Sequence, residues 1–215
     1  MNPPTTSGLP APGLGAFAGC GASHRVGAAS SVIYVSRLPV PPDTPEPSAT
    51  LHVDDEAELA LWQIIAGLRT VRQGVGLTQN ALSSHLPVRG RAISEWETGQ
   101  MEPTLQHLMQ WCRALDQRLV ISSPDGELWQ GPSRPRAGES WEFFERRRLA
   151  WPLRNRRRAS GLSQAGLGQL VSVSRDSIQR WELLRVPPRP IALVVWAQKL
   201  GCSVVLRPVC EPGLV

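Results

Sequence analysis

The chain reads as mostly α-helical: two tandem copies of one small helical unit, each closed by a short β-strand, behind a disordered N-terminal tail. Three observations predict this. Gly76–Glu97, GLTQNALSSHLPVRGRAISEWE, patterns as a short helix, a tight turn and a second short helix. The pattern returns 85 positions on as Gly161–Glu182, GLSQAGLGQLVSVSRDSIQRWE, and the copies align without a gap from Gly76/Gly161 to Ile121/Leu206. Each copy is also flanked by longer apolar-periodic segments and followed by a strand-like run. Identical pairs include Leu77/Leu162, Gln79/Gln164, Leu82/Leu167, Val88/Val173, Ile93/Ile178, Trp96/Trp181, Glu97/Glu182 and Trp111/Trp196. A fixed-offset match over one supersecondary unit is an internal repeat, and two copies are too few for a solenoid, so each is expected to build its own core.

Taken in order, residues 1–50 are rich in Pro, Gly, Ala and Ser and end in PVPPDTPEPSAT. They read as a disordered tail, or as a translation start placed too early, with a weak strand pattern at Ser31–Arg37. The first domain is expected over 51–129. Asp54, Asp55 and Glu56 suit a helix N-terminus before a helix at about 57–73, buried through Leu61, Ile64, Ile65 and Leu68. Gly74 and Gly76 end it. Two short helices follow at about 78–86 and 89–98, the first capped by Thr78 and broken by Pro87. Pro103 and Thr104 start a fourth helix to about Leu115. Arg118–Ser122 then reads as a strand, with a return over Glu127–Trp129 after the turn Pro124-Asp125-Gly126. Residues 130–140, QGPSRPRAGES, read as a linker. The second domain, 141–208, repeats the plan: a helix over about 141–159 with Pro152 inside, short helices at about 163–171 and 174–183, a fourth from Pro190 to Leu200, and a strand at Ser203–Arg207.

The 215 residues carry net charge +5, unevenly. Residues 141–215 hold 13 Lys/Arg against 5 Asp/Glu, while 51–122 hold 6 against 8. Attraction to polyanions therefore belongs to the second half. The four cysteines form no CxxC, and Cys112 falls on an apolar helix face as a small core residue, which suits a reduced intracellular protein. No apolar run reaches the ~18 residues of a membrane span. LGAFAGC at 14–20 lacks the basic region of a secretory signal.

Helix–turn–helix recognition needs a small residue where the two helices approach, a tight turn and buried anchors behind an exposed face. Ser83 and Gly168 supply the small residue; Val88 with Ile93, and Val173 with Ile178, supply the anchors. On the motifs GLTQxxL…V…IxxWExG and GLSQxxLGxLVSVSRDSIQRWE, both copies resemble the Cro/repressor-like (XRE-type) helix-turn-helix family, over about 60% of the chain. The resemblance implies lambda-repressor-like folds that bind double-stranded DNA, with Gln79 and Gln164 at phosphate. It implies recognition positions at Arg89, Gly90, Arg91, Ser94 and Glu95 in the first copy and Ser174, Arg175, Asp176, Gln179 and Arg180 in the second. It also implies buried ion pairs Arg72–Glu97 and Arg157–Glu182. Arg154, Arg156 and Arg158, in a dense arginine run, are candidates for the phosphate backbone. The chain departs from the family at Pro87 and Ser172, where the family favours Gly, and at Leu184, where the first copy has Gly99. The strand after the fourth helix resembles a subset that includes toxin–antitoxin regulators, whose strands can pair between chains.

The leading expectation is a sequence-specific transcriptional regulator, cytoplasmic and nucleoid-associated, with two unequal recognition helices reading an asymmetric site. A connection of about 20 residues, at ~3.3 Å each, can span the ~34 Å between successive major-groove faces. The alternative is an antitoxin-like or other protein-interaction module of the same fold; a homodimer or a toxin-like partner stays open. His24, His52, His85 and His107 do not cluster, and no nucleophile, phosphate loop or metal spacing occurs, so no enzyme, cofactor or metal is expected.

Overall fold

The computed structural model describes residues 50–129 and 131–209. The strand pattern at Ser31–Arg37, and Cys20 and Cys210, lie outside them. The first copy holds α1 (Asp55–Gly74), α2 (Gln79–Ser83), α3 (Gly90–Thr98), α4 (Leu105–Ala114), β1 (Gln117–Ser122) and β2 (Leu128–Trp129). The second holds α5 (Trp141–Ala159), α6 (Gln164–Val171), α7 (Arg175–Glu182), α8 (Pro190–Gln198) and β3 (Ser203–Pro208).

Local chemistry sets these boundaries. Asp54, Thr78, Thr104, Ser140, Ser163 and Ser174 each accept a hydrogen bond from a first-turn backbone N–H, as N-caps do. α5 runs through Pro152 as one element.

The two helix–helix turns differ. α6 ends in Ser172, held left-handed at φ 59°, and Val173 N donates to Gly168 O at 2.8 Å. Gly168 is required there, because a Cβ would stand 2.7 Å from Val173 O. α2 stops at Ser83, three residues before the expected end. Ser84, His85 and Leu86 close its turn by donating to Ala81, Leu82 and Ser83, and none of them takes positive φ. That is how a turn containing Pro87 is built, since Pro is confined to negative φ.

The core does not divide between the copies, against the expectation of one core each. A single apolar cluster runs from Ala57 to Val204 and includes Leu68, Trp111, Leu153, Val195 and Trp196. The seam is a sheet of order β2-β1-β3, in which β1 pairs antiparallel with β3 from Gln117↔Pro208 to Ser122↔Ser203. The strands that the family resemblance allows to pair between chains thus pair within this one. Polar ties cross the same seam. Glu102 takes Arg189 by an ion pair and accepts from Ile191 N at 2.9 Å; Lys199 donates to Asp54 at 3.2 Å; Gln106 and Gln110 donate to Glu142 at 2.7 and 2.8 Å. Residues 131–140 do not act as a free tether, because Arg147 clamps Glu139 at 2.6 Å. The spacing of the copies is therefore set by the sheet and core rather than by linker reach. No helix among the described residues is long and apolar enough to cross a membrane.

Candidate nucleic-acid interface

Each third helix is fixed from below. Arg72 Nε donates to Glu97 Oε1 at 2.6 Å and its Nη2 to Oε2 at 2.8 Å; Arg157 does the same to Glu182 at 2.6 and 2.9 Å. All four residues are buried. Arg72 and Arg157 each also donate at 2.6 Å to a backbone carbonyl, Leu77 O and Leu162 O. The amide nitrogens of Gln79 and Gln164 complete the lock, donating to Glu97 Oε2 and Glu182 Oε2 at 2.8 Å. A carboxylate with three side-chain donors satisfies most of its lone pairs, which a buried charge needs.

This places Gln79 and Gln164 differently from a purely outward role. Their amide nitrogens face inward, each donating to the buried glutamate of its copy. Sequence reasoning missed this use. The signal was present: in both copies a Gln stands 18 positions before the Glu.

Above the lock, Ile93 and Trp96 of α3, and Ile178 and Trp181 of α7, are buried. Trp96 tilts against Trp111 and Trp181 against Trp196, centroids 5.8 Å apart in each copy. Among the described residues the indole N–H of Trp111 and of Trp196 has no hydrogen-bond partner. The opposite faces are polar. Arg89 and Arg91 are exposed and Ser94 and Glu95 half-buried on the first; Arg175, Asp176 and Arg180 are exposed and Gln179 half-buried on the second. Arg91 donates to Glu95 at 2.8 Å, and Arg180 pairs with Asp176 at 2.6 Å. Ser174 caps α7, its hydroxyl accepting from Ser177 N at 3.1 Å. No carboxylate lies within ion-pair reach of Arg89 or Arg175 among the described residues.

The arginine run of α5 is largely structural. Arg148 is buried, donating to Leu119 O and Glu145, and burial pushes its pKa below the usual arginine range. Glu145 also takes Arg118 at 2.8 Å. Arg156 turns to Leu200 O at 3.3 Å, which engages it at the end of the second copy's fourth helix rather than leaving it outward. Arg154 and Arg158 remain at the surface. The counterpart of half-buried Arg154 in the first copy is Arg69, which is exposed, a pair that the 85-residue offset shows and that reading each run alone misses.

Cys112 is buried beside Trp111, and burial pushes its thiol well up, so it is unreactive at neutral pH. Among the described residues no group of His, Cys, Asp or Glu could hold a metal ion.

A family model described as a helix-turn-helix matches residues 68–120, and one described as a helix-turn-helix domain matches 148–209. No curated protein and no solved structure matches the chain.

Proposed function

We propose that this chain, a DNA-binding regulator with two tandem helix-turn-helix domains of Cro/repressor-like kind, is a sequence-specific, nucleoid-associated transcriptional regulator reading double-stranded DNA through two unequal surfaces. The domains span 51–129 and 141–208. The observation that carries the reading is the pair of two-faced helices α3 and α7, each with an apolar row in the core and an arginine-bearing row outside. Arg89, Arg91, Ser94 and Glu95 face bases in one half, and Arg175, Asp176, Gln179 and Arg180 in the other. Arg is the usual bidentate reader of guanine, and Gln reads adenine. Ser174, Arg69, Arg154 and Arg158, with the helix starts at Gln79 and Gln164, lie along phosphate.

Selection of bound sequences from random duplex DNA by the full chain tests this. Enrichment of a defined sequence, with affinity falling linearly in log–log against salt, is the expected result. Absence of enrichment, together with capture of a co-expressed neighbour protein, favours the interaction-module reading and overturns this one.

A further inference from the structure

In the β1–β3 ladder Val120 faces Val205, its own counterpart 85 positions on. The neighbours are reciprocal: Leu119 faces Leu206 and Ile121 faces Val204, where Val204 is the counterpart of Leu119 and Leu206 that of Ile121. Contacts in which residue i meets j of the other unit, and j meets i, mark a two-fold axis. The helices obey the same axis. α1 packs on β3 and α8 of the other copy, and α5 packs on β1 and α4. The continuous core and the ties at Glu102, Asp54, Glu142 and Glu145 hold the copies in that relation.

We propose that the two copies form a pseudo-dimer within one chain, and that a single chain occupies two inverted half-sites of different sequence at one fixed spacing. This rests on the DNA-reading function proposed above. Two units strung along a chain could follow one another by translation and read a direct repeat. A two-fold instead turns the second recognition helix end for end relative to the first. Duplex DNA has dyads perpendicular to its axis, so α3 and α7 fit together only where the second half-site is inverted. The half-sites differ because the helices do. Arg91 and Glu95 are replaced at their counterparts by Asp176 and Arg180, the same ion pair with its polarity reversed, and Gly90 is replaced by Arg175. The rigid seam sets the half-site centres about 10–10.5 base pairs apart, or a whole multiple of that.

The test uses the full chain and the duplex it selects, with the mass of the complex giving the number of chains per site. One chain on two unlike, inverted halves is the expected result. Inserting five base pairs between the halves rotates one by about half a turn, and reversing one half makes the site direct. Each change should weaken binding by roughly 10²-fold or more, because one helix loses its base contacts. Arg175→Ala should relax preference in one half and Arg89→Ala in the other. A single enriched half-site, tolerance of the insertion, equal binding of the direct repeat, or two chains on a true palindrome would each overturn the pseudo-dimer while leaving sequence-specific DNA binding standing. No enrichment at all overturns that function, and this inference with it.

Discussion

In both copies an arginine of the long first helix reaches a glutamate at the end of the third at 2.6 Å, and a glutamine amide joins the same carboxylate at 2.8 Å. On the outer surface of that third helix the copies are opposites: Arg91 precedes Glu95 in the first, and Asp176 precedes Arg180 in the second. The buried lock is fixed by geometry, because losing its arginine or its glutamate strands the opposite charge in the core. The outer ion pairs lie on the outer helix face, where such an i,i+4 pair contributes only about 0.3–0.5 kcal/mol. The fold thus tolerates divergence where a ligand would read it and resists divergence where the helix is held.

The backbone shows the same contrast. Three aligned positions take left-handed dihedrals in both copies: Gly76 and Gly161 at φ 67° and 65°, Gly99 and Leu184 at 75° and 60°, Asp116 and Gly201 at 51° and 69°. The chain path is shared, yet two of the three carry a side chain in one copy. A Cβ at Gly99 would meet the Trp62 ring at 2.0 Å, so a side chain there would have to displace that exposed ring; the counterpart of Trp62 is Arg147, which Glu139 holds. The seam beside these residues differs accordingly. On the first copy's side Trp62, Gly99 and Met101 line a cavity of about 370 Å³; on the second Leu184, Val186 and Pro187 leave about 10 Å³.

The most damaging way to break the comparison is at the lock. Glu97→Ala and Glu182→Ala should each destabilise the protein by about 3–5 kcal/mol, equally and in one cooperative transition, because both copies share one core. Urea unfolding checks this; two separate transitions, or a loss confined to one copy, would contradict it. The surface separates next. Arg175→Ala should weaken DNA binding by about 1–3 kcal/mol with relaxed preference. Arg69→Ala and Arg154→Ala should each lower the log–log salt slope by about 0.9 and leave preference alone. Arg156→Ala should leave the slope unchanged and lower the melting temperature instead.

Strained positions give smaller effects of opposite sign. Asp116→Gly and Ser172→Gly should each raise stability by about 0.5–1 kcal/mol, since a left-handed side chain costs roughly 1–2 kcal/mol and glycine returns part of that as unfolded-chain entropy. Calorimetry showing a lower melting temperature for both would refute the strain. Exchanging the first copy's outer pair, as Arg91→Asp with Glu95→Arg, leaves net charge unchanged and puts an acid near the start of α3. It should stabilise by about 0.3–1 kcal/mol through the helix dipole and alter base preference in that half-site only, read by thermal unfolding and repeat selection.

The smallest effect is in pH. Hydrogen bonding from Arg147 holds the Glu139 carboxyl at about 2 against an ordinary 4.5. A depressed carboxylate contributes above its unfolded value and loses that contribution as pH falls toward its folded one. The clamp on residues 131–140 should therefore loosen between about pH 4.5 and 2. Protection of the Arg136 amide relative to its intrinsic exchange rate should fall over that window, since its N–H donates to Glu139 at 2.8 Å, and should fall at neutral pH in Glu139→Gln.

Helix positions, N-caps and the core tryptophans were legible in the sequence, because 3.6-residue apolar periodicity and capping hydroxyls act within a few residues of chain. So was the Arg–Glu spacing of 25, because it recurs in both copies. The arginine run of α5 was misleading for the opposite reason: charge density does not say which guanidiniums are engaged, and Arg147, Arg148, Arg156 and Arg157 are engaged by groups 3 to 44 positions away.

The sequence by itself determined that there are two copies of one unit, which residues lie beneath each third helix, and which outward side chains differ. Only the tertiary structure decided how the copies face each other. That relation is written in a strand register joining Gln117–Ser122 to Ser203–Pro208 and in ion pairs such as Glu102–Arg189, 87 positions apart. Neither leaves a periodic trace, because each depends on two distant segments meeting in one geometry after the core has formed.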